Sequence, residues 1–326
     1  MRQILFKSFL LLLPFLMLLV LFFFFDPMKI FFSYEDPTAR GVQMNDRIYQ
    51  VNYLDNKPYA YDAFIFGSSK SYAFRTSEWE KYIGHRLSYH MGCNDESIYG
   101  IAHKLDYLVK EGYEVRNALM VFDPRLLMQN ENPSAHIFRE DPEVSGEPRL
   151  MFYRRFFTAF IQPRFLSAFM KYKDGIRDSS VIGYMNVFHF SFNAKTGDRG
   201  FAEYDSMLAV SNEQFYERQQ PLFPVRDSTI QKELSPLIDG TTLELLKQIK
   251  ATLTLQHTGY RIVIAPTYDQ QELNESDLDA IDSVFGVENV FNFSGKNRYT
   301  DDINNYYEGR HFKPELADSL LKIMYR

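Results

Sequence analysis

Three short apolar runs constrain this chain most: Ala63–Phe66 ending at Gly67, Ala118–Phe122 ending at Asp123-Pro124, and Arg261–Ala265 ending at Pro266. Each has the length of a strand, is almost uniformly apolar and is closed by a turn residue. That pattern belongs to strands covered on both faces. Leu87–Met91 and Val290–Phe293 are further strand candidates. Between them lie helical periods. Ser77–Tyr82 reads as helix, and Ile98, Ile101, Ala102, Leu105, Leu108 and Val109 recur on one helical face ahead of a stop at Gly112. Leu245, Leu246, Ile249 and Leu253 form a second face, and Leu273–Phe285 reads as helix. A final helix starts at Pro314 and carries Leu316, Leu320, Ile323 and Met324. The alternation predicts an α/β fold, a parallel sheet flanked by helices with right-handed crossovers. In such sheets ligands bind beyond the carboxyl ends of the strands.

An uncharged run, FLLLLPFLMLLVLFFFF, covers Phe9–Phe25. A bilayer-spanning helix needs about 20 apolar residues, with about 17 the lower limit, and such helices tolerate a proline like Pro14. Arg2 and Lys7 precede the run and Asp26 follows it, so the positive-inside rule puts the N-terminus in the cytoplasm and the remainder outside. The run is longer than the ~7–15-residue core of a cleavable signal peptide, and no A-x-A-like site follows. The expectation is one N-terminal transmembrane helix, retained as a single-pass anchor. The domain plan is an anchor over 1–28, a connector over 29–60 with turn residues Asp36-Pro37 and Asn56-Lys57-Pro58, and an α/β domain over 61–326. An aromatic-rich insertion interrupts that domain at about 128–235. Within it Leu150–Met170 is Phe- and Arg-rich and reads as helical, whereas 181–225 has no clean period. The aromatics suit the core of a cap; lining an acyl or glycan groove, or lying on a membrane surface, are the alternatives.

A net charge of -6 without a long basic run argues against nucleic acid as a partner. The single cysteine, Cys93, excludes a disulfide within the monomer and reads as a small buried residue. No Cys/His cluster has zinc spacing and no glycine-rich phosphate motif occurs, so neither a metal nor a cofactor is expected.

The first strand runs into Gly67-Ser68-Ser69-Lys70-Ser71. Glycine permits a tight turn at the strand end, and a serine there can open the next helix beside backbone N–H groups free to stabilise an oxyanion. Near the C-terminus Glu308 lies three residues before His311, just ahead of the last helix. An acid so placed can orient the imidazole, which can then act as general base toward a serine. Separately, each pattern also has a bland reading, as turn chemistry and as a surface loop. Ser68 is the alternative nucleophile but suits a turn-stabilising role, and Lys70 reads as facing water.

Together the two blocks resemble the SGNH (GDSL-like) hydrolase superfamily, and within it the membrane-anchored DltD-like and alginate O-acetylation-like branch. The resemblance covers 61–126 and 241–326 as short motifs and element order. It implies an SGNH/flavodoxin-like three-layer fold in which Ser69 is the nucleophile, His311 the base and Glu308 the acid. Gly67 and Ser68 support the nucleophile turn, and Gly92 or Asn94 of the second block (His90–Asp95) donates to the oxyanion. The acid is Glu where the family has Asp. The third block falls on Val121–Pro124 without its asparagine. The activity implied is acyl transfer to, or esterase action on, a cell-envelope polymer or glycan, with a membrane-bound O-acyltransferase as partner. The alternative is a catalytically inactive accessory protein of such a transferase.

Overall fold

The computed structural model describes residues 2–32, 34, 45–55, 61–84, 86–185, 191–226 and 232–326. Of the expected connector, 33, 35–44 and 56–60 lie outside the described residues, as do 186–190 and 227–231 of the expected insertion. The principal elements are α1 (Arg2–Phe25), α2 (Asp46–Leu54), β1 (Ala63–Gly67), α3 (Thr76–Ile83), β2 (Ser88–His90), α4 (Ile98–Lys110) and β3 (Asn117–Phe122). They continue with α5 (Arg149–Phe160), α6 (Pro163–Lys173), α7 (Gly240–Leu255), β4 (Gly259–Ile264), α8 (Glu275–Phe285), β5 (Val290–Asn292), β6 (Tyr306–Glu308), β7 (His311–Phe312) and α9 (Pro314–Met324).

The chain divides into two compact units, one of 1–53 with 134–188 and one of 54–133 with 189–326. The expected boundaries at 28 and 60 do not coincide with this division. The second unit holds the α/β fold. Its five-stranded sheet has the order β2-β1-β3-β4-β5, and every neighbouring pair is parallel. Register fixes the faces. Ala63, Ile65, Leu119, Val121, Val263 and Ala265 join one core cluster with Trp79 of α3 and Leu316, Leu320, Leu321 and Met324 of α9. Side chains alternate along a strand. Phe64, Phe66, Met120, Phe122, Ile262 and Ile264 therefore face the other way, and all are fully buried. On that side the Phe122 and Phe285 rings meet at 6.1 Å. Gln248 and Thr252 of α7 both donate to Asp106 of α4, at 2.6 and 2.9 Å. Sheet order reverses between the β1–β2 and β2–β3 connections, so the crevice where ligands bind in doubly wound sheets opens beyond the ends of β1 and β3.

The other unit is helical. Phe22 of α1, Ile48 of α2, Phe152, Phe156 and Phe160 of α5, and Phe165 and Phe169 of α6 share its core. The sequence reads as helical over 150–170; the structure has two helices there, α5 and α6. Proline at 163 has no N–H and disfavours helical backbone before it, and Gln162 is accordingly extended at ψ 127°. Asp26 stops α1 by accepting from Ile30 N at 2.8 Å and Phe31 N at 3.1 Å. A buried ion pair, Arg47 Nε to Glu140 Oε1 at 2.7 Å, ties α2 to the second segment of the unit.

A membrane-spanning helix is the expectation for Phe9–Phe25. Among the described residues no helix is long and apolar enough to cross a membrane. The described side chains of α1 give an unbroken apolar run from Leu10 to Phe25. Such a run is about 24 Å long at 1.5 Å per residue, against ~30 Å of hydrocarbon.

Candidate active site

Everything in the site belongs to the α/β unit. Backbone geometry at the end of β1 comes first. Gly67 sits at φ 152°, and a Cβ there would lie 2.8 Å from the Val121 carbonyl oxygen and 2.9 Å from Ser71 Cβ. Only glycine lets β1 pass so close to β3 while turning. The chain then enters a single five-residue 3-10 turn, Ser69–Ala73, rather than the α3 helix, which starts at Thr76. Ser68 caps this turn, and its hydroxyl donates to Asp123 Oδ2 at 2.5 Å. Ser71 is fully buried and donates to the Ser68 carbonyl at 2.7 Å. Ser68 therefore has the turn-stabilising place expected of it, and Ser69 is left pointing away from these bonds, half-buried.

Ser69 Oγ lies 2.8 Å from His311 Nε2. The other ring nitrogen, His311 Nδ1, bonds Glu308 Oε1. The acid and the histidine do not sit in a plain loop. They are cross-strand partners at the end of the antiparallel β6–β7 hairpin, Glu308 opposite His311, with Gly309-Arg310 as its turn. Cross-strand partners in such pairs have Cβ atoms about 4.5–5.5 Å apart, which is within reach of a Glu side chain. Glu308 Oε2 also accepts from Arg310 N at 2.9 Å, fixing the carboxylate. Gly309 approaches the chain at Leu222–Pro224 so closely that a Cβ would meet Pro224 Cδ at 2.5 Å. The pair is partly shielded, at 20% and 11% side-chain exposure, so their bond is stronger than one in bulk water. With a carboxylate at Nδ1, the tautomer that donates there leaves Nε2 to accept from Ser69.

The loop after β2 comes alongside. Met91 N donates to the Ile65 carbonyl at 2.8 Å and Cys93 N to the Gly67 carbonyl at 3.1 Å. Gly92 is thereby pressed against the serine turn: a Cβ on it would lie 2.3 Å from Ser71 Oγ and 3.1 Å from the Gly67 carbonyl oxygen. Asn94 is exposed in the turn that follows. Cys93 is buried, as its size suggests.

Two groups escape the sequence reading. Asp123, at the end of β3, takes the Ser68 hydroxyl and the Lys70 ammonium, the latter at 3.3 Å. It also caps the short helix Pro124–Met128 through Arg125 N and Leu126 N. Burial alone would raise the Asp123 carboxyl, but the Lys70 charge, the Ser68 hydroxyl and the Leu126 N–H outweigh it and hold it below the usual carboxylate range. Lys70 therefore faces Asp123 rather than simply water. Asp-Pro after an apolar strand, an N-cap signature, was the available sign. The second group is Phe201, whose ring lies 4.8 Å from that of His311 and 5.7 Å from Tyr204, stacked at 6°. No sequence pattern marks it, because 181–225 carries no period. Asp198 anchors this segment by accepting from Thr76 N at 3.1 Å and Thr76 Oγ1 at 2.6 Å. Among the described residues no group of three His, Cys, Asp or Glu side chains is placed to hold a metal ion.

The arrangement is a hydroxyl, an imidazole and a carboxylate in a chain of hydrogen bonds, opening where a doubly wound sheet places ligands. No protein-family model matches the chain, and no curated protein matches it.

Proposed function

We propose that this protein is a membrane-anchored serine acyl-ester transferase or esterase of SGNH type, acting outside the cytoplasm on a cell-envelope polymer or glycan. The observation that carries the reading is the Ser69–His311 contact of 2.8 Å with Glu308 on the far side of the ring. In the reaction His311 Nε2 takes the Ser69 hydroxyl proton as Oγ bonds the acyl carbon. The oxyanion forms beside Ser69 N–H, which opens the turn where a backbone donor has no intrahelical partner, and beside the Gly92 backbone. Collapse expels the alcohol, which takes the proton from His311 and leaves the acyl group on Ser69. A second hydroxyl, or water, then repeats the sequence in reverse. Glu308 stabilises the transient imidazolium and holds the ring's tautomer.

The apolar sequence Phe9–Phe25, with Arg2 and Lys7 before it, supports a single-pass anchor whose N-terminus is cytoplasmic. The resemblance of the Ser69 and Glu308–His311 blocks to the DltD-like branch supports transfer over hydrolysis and a membrane-bound O-acyltransferase as partner.

The test is fluorophosphonate labelling of the full chain in detergent, with Ser69→Ala beside it. The wild type is expected to label and Ser69→Ala not to label. A folded wild type that does not label in detergent or in lipid would overturn the enzyme reading in favour of an inactive accessory of the transferase.

A further inference from the structure

From Arg149 to Lys173 the chain carries four arginines and two lysines and no acidic residue, inside a protein of net charge -6. This stretch is α5 and α6, both in the helical unit. Their inner faces are taken up by α1. The Phe157 ring meets Phe15 and Phe22 at 5.6 and 5.4 Å, Phe160 meets Phe22 at 5.3 Å, and Phe169 meets Phe25 at 6.3 Å. Whatever phase surrounds the stretch of α1 from Phe15 to Phe25 therefore also reaches α5 and α6.

Even with α5 and α6 in place, α1 leaves Leu11 82%, Met17 63%, Val20 64% and Phe24 74% exposed. Exposed apolar area on this scale marks a membrane or partner contact. The outer faces of α5 and α6 differ in kind. Met151 and Arg154 on α5, and Met170 and Lys173 on α6, are exposed pairs at i, i+3 spacing. Arg164 is exposed in the first turn of α6. Arg154, Arg164 and Lys173 have no carboxylate partner among the described residues, whereas Arg149, Arg155 and Lys171 are paired with Glu143, Glu147 and Asp178. Lys173 Nζ instead rests 4.5 Å from the centre of the Phe25 ring, at the end of α1. Methionine tips between unpaired cations, on helices whose other face is aromatic, compose an interfacial surface.

We propose that α5 and α6 lie in the headgroup layer of an anionic phospholipid bilayer beside the C-terminal half of α1, with Arg154, Arg164 and Lys173 on lipid phosphates and Met151 and Met170 at the acyl boundary. The proposal rests on the anchor reading of α1 and adds a second, charge-selective contact with the membrane. Each cation near an anionic surface strengthens attraction, and the effect fades within a Debye length.

The experiment reconstitutes the full chain in nanodiscs of phosphatidylglycerol or of phosphatidylcholine, each with bromine high on the acyl chain. Tryptophan reporters are placed by Met151→Trp, Met170→Trp and, on α1, Met17→Trp. The one native tryptophan, Trp79, is fully buried in the other unit and supplies the baseline. The expected result is quenching of both Met151→Trp and Met170→Trp in phosphatidylglycerol, lost in phosphatidylcholine and lost in the Arg154→Gln/Arg164→Gln/Lys173→Gln background. Met17→Trp is expected to be quenched in both lipids. Unquenched α5 and α6 reporters beside a quenched Met17→Trp overturn the proposal and leave the anchor standing, with the face free for a protein or a second copy. Quenching equal in the two lipids overturns the assignment to an anionic surface. An unquenched Met17→Trp overturns the anchor reading and this proposal with it.

Discussion

Gly92 has no room for a methyl group. The nearest obstacle, Ser71 Oγ at 2.3 Å from an ideal Cβ, is itself held by its bond to the Ser68 carbonyl. Gly92→Ala must therefore move either the loop after β2 or the turn that aims Ser69. Overpacking of this kind costs about 1–3 kcal/mol, and the expected outcome is that loss in urea unfolding together with weaker labelling of Ser69. Ser71→Ala removes the obstructing atom, so Gly92→Ala/Ser71→Ala is expected to be more stable than the sum of the two single changes. Strict additivity would show that the contact is not what excludes a side chain here. The same residue scale shows what the sequence discloses. The contact between Ser69 and His311 joins two positions the sequence singles out, one beside a strand end and one ahead of a helix. The Glu308–His311 pairing depends on the β6–β7 hairpin, which sets the two side chains opposite each other. Asp123 sits at the end of β3, and its bond to Ser68 depends on β1 and β3 being neighbours. No local pattern encodes that adjacency.

At the scale of elements, α4 reaches beneath the loop that carries Gly92. Lys104 Nζ donates to Glu96 Oε2 at 2.5 Å, to Cys93 Sγ at 2.9 Å and to the Met91 carbonyl at 3.3 Å, and Lys104 and Glu96 are almost wholly buried. Removing one partner of a buried ion pair strands the other charge at a cost of about 3–5 kcal/mol. Lys104→Met is expected to destabilise by that order in chemical denaturation, and adding Glu96→Gln is expected to recover most of it. If the double variant is no better than Lys104→Met, the lysine acts by packing and not by charge. Periodicity gives α4 itself, since Ile98, Ile101, Ala102, Leu105 and Leu108 are all fully buried. It could not show a lysine turned inward, because one cation on an apolar face looks like an interruption of the pattern. Uniformly apolar runs and 3.6-residue periods longer than a few residues were readable: β1, β3, β4, α7 and α9 fall where those patterns put them. Those held by tertiary contacts were not. The Ser69–Ala73 turn, the β6–β7 hairpin and the short strands Ser191–Phe192 and Arg199–Gly200 have too few residues to show a period.

At the scale of the whole molecule, the α/β unit is made of two stretches of chain with the second segment of the helical unit between them. Ser69, Gly92 and Asp123 come from the first stretch; Phe201, Glu308 and His311 come from the second. What joins the stretches is not the intervening chain. Strands β3 and β4 pair in register from Asn117↔Gly259 to Phe122↔Ile264, α4 bonds α7 through Asp106, and α9 packs on the sheet beside α3. A break in the intervening chain leaves all of these intact. Residues 174–178, just beyond α6, are exposed throughout and offer the place to cut. A site-specific protease sequence inserted between Gly175 and Ile176 tests the point. After cleavage in detergent the two fragments are expected to co-elute on size exclusion, with fluorophosphonate label on the N-terminal fragment at the uncut level. Labelling there requires His311, which the other fragment supplies, so retained label reports an assembled site and co-elution alone reports an assembled sheet. Fragments that separate without denaturant would mean that chain continuity, rather than the β3–β4 pairing and the helices across it, holds the two stretches together.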